Sequence, residues 1–343
     1  MRIALDAMGG DLAPGSTVEG AIEAARHGFQ ILLVGDEAVL REEIAERGGL
    51  PPNVRLAHAS EVVEMDDKAI SAARRKRDSS LRVAFELVSK DQADAVVTMG
   101  NSGAAMASAL FSCGRSDGVL RPAIASIFPG RGGPVVLLDA GANVDCKPEY
   151  LLQFGAMGAA LVRAAFGETT PKLAVLSNGT EAEKGTELTR GAATLLAKEE
   201  GIDFVGYIEP GAVLDGDVQV VVTDGWTGNI MVKTAEGMAM HIKSLVREAA
   251  DRSVVSQAGA LLMKPSLQAA LAELDYSEYG GGLLLGIDAV AIIGHGAAGA
   301  KEVANALRFA NRVAAASLLD QIKESVSIPK EERDAVEKPQ RGE

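Results

Sequence analysis

Cysteine is scarce: the chain has two in 343 residues, Cys113 and Cys146. That number builds neither a disulfide scaffold nor a zinc site, and it fits a reducing compartment. Basic side chains are also in deficit, 34 against 47 acidic ones, for a net charge of −13 and a pI near 4.9. A chain of that sign has no general affinity for phosphate backbones, so nucleic acid is not an expected partner. Long apolar runs are missing too. The stretch from Leu283 to Ala298 is interrupted by Asp288 and several glycines, and it falls short of the roughly 18 residues of a spanning helix. The opening, Met1-Arg2-Ile3-Ala4-Leu5-Asp6, reaches a carboxylate after three apolar residues. It has no secretory apolar core, and a cytoplasmic protein is expected.

With 47% hydrophobic and 24% charged residues the composition is that of an ordinary globular chain. Glycine is in excess, 38 of 343 or about 11%, against about 7% on average. Short β-branched runs alternate with longer helical patterns throughout, the mark of a sheet flanked by helices. The clearest strands are Ile3–Leu5, Ile31–Val34, Ala95–Val97, Val135–Leu138, Leu173–Leu176, Val218–Val222 and Ala289–Ile293. Nearly all are apolar on both faces, as central parallel strands are. The expectation is one α/β domain over residues 1–326, Rossmann-like and layered α/β/α around a mostly parallel sheet. Residues 327–343, charged and proline-containing, read as a frayed tail.

Glycines and small polar residues gather where strands end and helices begin. The junctions are Asp6-Ala7-Met8-Gly9-Gly10-Asp11, Gly100-Asn101-Ser102-Gly103, Asp139-Ala140-Gly141-Ala142-Asn143, Ser177-Asn178-Gly179-Thr180 and Asp224-Gly225-Trp226-Thr227-Gly228-Asn229. Any one is a plain turn and helix cap. Five together suit an anion, because ligands of open α/β sheets bind at the carboxyl ends of strands, where helix N-termini offer unpaired N–H groups. The candidate phosphate ligands are therefore Asp6, Gly9, Gly10, Asn101, Ser102, Gly103, Asn143, Asn178, Gly179, Thr180, Asp224, Thr227 and Gly228.

Three side chains stand out as catalytic candidates. Thr180 and Glu183 have capping-box spacing, which places Lys184 in a first helical turn; a cation there suits an anion in front of the helix or is simply solvated. Asn229 opens a long helix running toward His241, either as an N-cap or as an uncharged donor to a developing oxyanion. His295 lies in Gly294-His295-Gly296-Ala297-Ala298-Gly299, which spells a dinucleotide fingerprint. After Gly299, however, one helix is expected to about Leu319 and then the tail, so no βαβ unit follows and nicotinamide binding is rejected. His295 is then a general acid/base or a packed loop histidine. The chain has no Gly-x-Ser-x-Gly elbow, and neither cysteine sits at a clear helix start. Asp66-Asp67 and Asp215-Gly216-Asp217 read as turns rather than metal ligands. No metal, no cofactor and no covalent enzyme intermediate are expected.

Taken together with Asp145-Cys146-Lys147-Pro148, Glu181-Ala182-Glu183-Lys184-Gly185 and Tyr279-Gly280-Gly281, these loops resemble PlsX, the bacterial phosphate acyltransferase family, from Met1 to about Leu319. Met99, Ser102 and Trp226 are small departures. The resemblance implies a fold of the phosphotransacetylase and isopropylmalate dehydrogenase type, and transfer of a long-chain acyl group from acyl carrier protein to inorganic phosphate. It further implies a role in phospholipid synthesis, an acyl phosphate consumed by a membrane glycerol-3-phosphate acyltransferase, and a homodimer. The rival readings are a metal- and NAD-dependent dehydrogenase of the same broad fold and a non-catalytic membrane-associated scaffold.

Residues 253–274 carry Val254, Val255, Leu261 and Leu262 among other apolar side chains, interrupted by Lys264-Pro265. They read as two short helices around a kink, an apolar hairpin at about 251–275. Its tip, Leu261 and Leu262, meets either a dimer partner or, by peripheral contact, the lipid of the inner membrane face. Arg74-Arg75-Lys76-Arg77 is the one basic run for docking an acidic carrier protein, or a solvated helix face.

Overall fold

The computed structural model describes residues 1–272 and 279–326; the expected tail at 327–343 lies outside them. In chain order the elements are β1 (Arg2–Asp6), α1 (Gly15–Arg26), β2 (Gln30–Gly35), α2 (Glu37–Glu46), β3 (Val54–His58), α3 (Ala69–Arg75), α4 (Ser80–Ser89), β4 (Ala95–Thr98), α5 (Ser102–Ser112), β5 (Ala123–Gly130), β6 (Gly133–Leu138), α6 (Pro148–Phe166), β7 (Lys172–Leu176), α7 (Glu187–Leu196), β8 (Asp203–Ile208), β9 (Val220–Val222), α8 (Gly225–Asp251), α9 (Val254–Ala272), β10 (Gly282–Leu285), β11 (Val290–Ile293), α10 (Ala300–Ala315) and α11 (Leu318–Ser325). The strands form one sheet in the order β3-β2-β1-β4-β11-β10-β5-β6-β9-β7-β8.

The doubly apolar runs are the inner strands. Alternate residues of one strand feed opposite layers: Ile3 and Leu5 of β1 pack with α1 and α10, while Ala4 packs with α4 and α5. On the other half of the sheet, Val135, Leu137, Ala174 and Val221 are covered on one face by Met231, Val232 and Ala235 of α8. This is the expected α/β/α layering.

Strand direction explains how loops from both halves of the sheet meet. β3, β2, β1, β4 and β11 are parallel to one another, as are β6, β9, β7 and β8. The two sets run in opposite senses, because β10 is antiparallel to both β11 and β5, and β5 is antiparallel to β6. β5 joins them with a divided register: Ala123–Ala125 pair with β10, and Ser126–Gly130 pair with β6. The carboxyl ends of the two sets therefore face each other across the middle of β5.

Three expectations about helices change. Thr180–Lys184 form a turn, and α7 starts only after Thr186, which exchanges hydrogen bonds with Thr189 in the cap. The Thr180/Glu183 pair therefore caps nothing, and Lys184 precedes the helix. After Gly299 the chain makes two helices, because Ser317 turns into the left-handed region at φ 53° and separates α10 from α11. Residues 253–272 do not break at Pro265, which lies inside α9, and residues 273–275 of the expected hairpin lie outside the described ones. The break comes at Arg252-Ser253, where the Ser253 hydroxyl accepts the Ser256 N–H at 3.0 Å and starts a new helix. The apolar arm is thus the distal half of α8 with α9. Every residue from Gly237 to Ala249 is exposed. No helix among the described residues is long and apolar enough to cross a membrane.

Candidate active site

Two loops of the second half are built around one buried carboxylate. Asp139 is fully buried and accepts hydrogen bonds from the N–H groups of Ile124, Gly141, Ala142 and Asn143 at 2.6–3.1 Å, and from Asn143 Nδ2 at 2.9 Å. Burial raises its carboxyl above the usual range, against the pull of those donors. The 139–143 loop thus folds around an internal anion, and its donors are spent there. Asn143 gives its second amide hydrogen to the Pro122 carbonyl at 2.7 Å and so holds the loop.

The start of α8 lies directly on this loop. Gly225 N–H donates to the Asn143 carbonyl at 2.7 Å, and a Cβ on Gly228 would run into the Asp139 carbonyl. Asp224 caps the helix, its carboxylate accepting the Thr227 N–H at 2.9 Å and the Thr227 hydroxyl at 2.8 Å. Asp224, Thr227 and Gly228 therefore place α8. Asn229, one residue further on, is left with an amide that enters no hydrogen bond among the described residues. It lies across from Gly141, where an added Cβ would sit 3.4 Å from that of Asn229.

Asn229 opens into a cavity of about 420 Å³ over the middle of β5, within the range of small-molecule sites. Ser102 and His295 contribute from the first half of the sheet, and Gly141, Asn229, Lys233 and Glu236 from the second. Beyond these polar groups the lining turns apolar, with Ile127, Phe128, Leu214, Val232, Ala239 and Ile242. The cavity joins a hydrogen-bonding end to a hydrocarbon-like trough.

Other residues singled out in the sequence support this arrangement from outside. Asp6 is buried, raised by that burial, and accepts the Thr98 hydroxyl at 2.7 Å. Gly9 packs against Asp6 and the Gly100 backbone, and Gly10 needs its φ of +108° between Met99 and Gly296. The neighbouring Asp11 N–H donates to the Gly296 carbonyl at 2.7 Å, bracing the His295 loop. Asn101 caps α5 through Ala104 N–H and spends its amide on the carbonyls of Met65 and Asp67. Gly103 gives room to Ala69. The Asn178 carbonyl accepts Gly185 N–H at 3.0 Å, Gly179 lies under the Lys184 stem, and Thr180 is exposed. None of the β7 loop residues, Lys184 included, lines the cavity. The Lys184 ammonium makes no hydrogen bond or ion pair among the described residues.

Lys233 and Glu236 were not singled out in the sequence, although they follow Asn229 by four and seven residues, the spacing of one helix face. The two thiols are poor nucleophiles: burial pushes Cys113 up to about 11 and Cys146 to about 12. Replacing both with alanine is expected to leave catalysis largely intact. Accumulation of an acyl group on either sulfur during turnover would contradict this.

The chain resembles known proteins over nearly its whole length. The family model described as fatty acid synthesis protein matches residues 1–320. A phosphate acyltransferase of Myxococcus xanthus (strain DK1622) is 52% identical over 313 residues, 90% of this chain and 88% of that protein. One of Anaeromyxobacter sp. (strain Fw109-5) is 48% identical over 326 residues, 95% and 90% of the two chains. Among solved structures, a phosphotransacetylase from Streptococcus pyogenes superimposes with a TM-score of 0.62 at 16% identity, covering 92% of this chain and 94% of the other. At that identity the likeness is one of fold, and it agrees with the fold expected from the loops. A family match across 320 residues, with relatives about half identical over nine-tenths of the chain, leaves one assignment: the chain belongs to the fatty acid synthesis protein family, whose relatives here are phosphate acyltransferases.

Proposed function

We propose that the protein is an acyltransferase that moves a long-chain acyl group from the thioester of acyl carrier protein to inorganic phosphate. The observation that carries this is the two-ended cavity, with an unspent Asn229 amide at its polar end and an apolar trough between β5 and α8. A phosphate oxygen attacks the thioester carbonyl carbon, and the carbonyl electron pair moves onto oxygen. When the tetrahedral intermediate collapses, the C–S bond breaks, the carrier thiol leaves with a proton, and acyl phosphate remains. Asn229 donates to the oxyanion, His295 handles the proton, and holding both reactants together supplies much of the rate. Lys184, with its ammonium unpaired, attracts phosphate from the β7 side. The relatives' name, phosphate acyltransferase, supports this reading. The test is incubation with acyl-carrier-protein thioester, with and without phosphate. Phosphate-dependent release of carrier thiol with formation of acyl phosphate is expected; thiol release that ignores phosphate would overturn the proposal.

The product belongs to phospholipid synthesis in this reading, consumed by a membrane glycerol-3-phosphate acyltransferase, and the protein is a homodimer held to the inner membrane face through its arm. Support comes from the exposure of Val254, Val255, Leu261 and Leu262, each at 70% or more. Changing Leu261 and Leu262 to glutamate is expected to release the protein from liposomes without unfolding it, since a buried leucine contributes about 1.5 to 3 kcal/mol and a carboxylate opposes insertion. A variant that becomes monomeric yet still binds liposomes makes the arm a subunit interface instead. For the carrier, Arg74 and Arg75 on α3 are exposed, whereas Lys76 is paired with Asp67 at 2.6 Å.

A further inference from the structure

Two side chains of the cavity, Lys233 and Glu236, have no part in the chemistry above. Glu236 follows Asn229 by two helical turns and lies on the same face of α8. Its side chain is only 13% exposed and is held at both oxygens: Oε1 is 3.1 Å from His295 Nε2, and Oε2 is 2.9 Å from Lys233 Nζ. Burial opposes its ionisation, yet the hydrogen bonds from His295 and Lys233 hold its carboxyl below the usual range. Glu236 comes from the second half of the sheet and His295 from the loop after β11 in the first half. The pair therefore spans the line along which the two halves meet.

We infer that Glu236 is a positioning residue for His295, accepting the Nε2–H so that the imidazole is kept in one tautomer and one orientation at the cavity wall, while Lys233 anchors the second carboxylate oxygen. An imidazole whose proton lies on Nε2 carries its lone pair on Nδ1. A lysine bonded at the other end restrains the carboxylate's rotation, so the ring is held from a helix as well as from its own glycine-flanked loop. Among the described residues, Lys233, Glu236 and His295 are the titratable side chains lining the cavity, and all three take part.

This inference rests on the cavity being the site of acyl transfer, and the experiment separates the two. Turnover is measured for the unaltered protein, E236A, E236Q, H295A and the E236A/H295A double variant, each checked for folding by thermal melting. The E236A exchange is expected to lower kcat about 10-fold or more with KM nearly unchanged, and E236Q, which keeps an acceptor oxygen, to recover part of it. The double variant is expected to be no slower than H295A, because removing the orienting group costs nothing once the ring is gone. In parallel, the protein is labelled with ¹⁵N-histidine; with four histidines in the chain, the ring signals are assignable by single substitutions. His295 is expected as the Nε2–H tautomer in the unaltered protein and as a mixture in E236A, while the fall in kcat without a rise in KM is the readout that a merely structural pair would not move. If E236A does not fold, E236Q carries both measurements. Losses that multiply in the double variant, an H295A protein of full activity, or a tautomer balance indifferent to Glu236 would each overturn the inference. Failure of the unaltered protein to transfer acyl groups to phosphate overturns the functional reading instead, and the nuclear resonance measurement still reports on the Glu236–His295 contact.

Discussion

Replacing Asn229 with alanine is expected to lower turnover about 100-fold or more, the loss that follows removal of one oxyanion donor, with a smaller effect on substrate binding. The expectation comes from accounting for the amides. Asn143 and Asn101 give their amide hydrogens to backbone carbonyls, and Asn178, whose side-chain oxygen accepts the Gly185 N–H, stands outside the cavity. Asn229 lines the cavity with its amide unspent. Steady-state kinetics with varied thioester and phosphate test it. A fall in kcat and kcat/KM together marks an interaction made in the transition state, whereas a loss confined to KM means the amide holds the ground state alone. Asn229→Asp, which keeps the shape but cannot donate when ionised, is expected to be at least as slow as the alanine variant.

The second large effect is one of stability. Asp139→Ala is expected to cost about 3 to 5 kcal/mol, because the four backbone N–H groups and the Asn143 amide it accepts from are left without an acceptor, each orphaned donor costing about 1 to 3 kcal/mol before water or relaxation compensates. The measurement is the urea midpoint of unfolding at constant slope. Asp139→Asn retains an acceptor for Ile124, Gly141 and Ala142 but turns an amide toward the donors of Asn143, so a smaller loss is expected. A cost below about 1 kcal/mol for the alanine variant would show that water replaces the carboxylate, since surface-like sites give effects of that size. Both variants should also lose turnover, because Gly228 and with it Asn229 rest on this loop.

The inner strands were legible because they are apolar on both faces. β1, β2, β4, β6, β7, β9 and β11 appear in the sequence as continuous runs, and the structure contains them all. The strands that escaped notice have physical reasons to do so. β3 and β8 lie at the two edges, where Arg55 and Val205 face outward and the run is interrupted. β5 carries Ser126 and Pro129, and β10 is a short run behind glycine. For the site, position along the chain was readable but use was not. Asp139 and Asp224 look alike in sequence, each following an apolar strand, yet one is a buried hub for a loop and the other a helix cap. Only the partners of each polar group, which come from distant segments, separate structural asparagines from a free one. Glu236 was hidden for the same reason: its meaning lies in His295, 59 positions away along the chain.

The divided register of β5 has a consequence for how this protein tolerates change. A residue added to one cavity loop disturbs the neighbour braced against it, as α8 is on the Asp139 loop and Asp11 on Gly296. An added residue between Ala125 and Ser126 reaches further. Side chains along a strand alternate faces with a period of two, so a single insertion turns everything beyond it over. Ile127 would exchange places with its neighbours, β6 would have to slip to follow, and the Asp139 loop would be carried away from the His295 loop by one residue's rise, about 3.3 Å. The joint between the halves thus works as a reading frame for the active site.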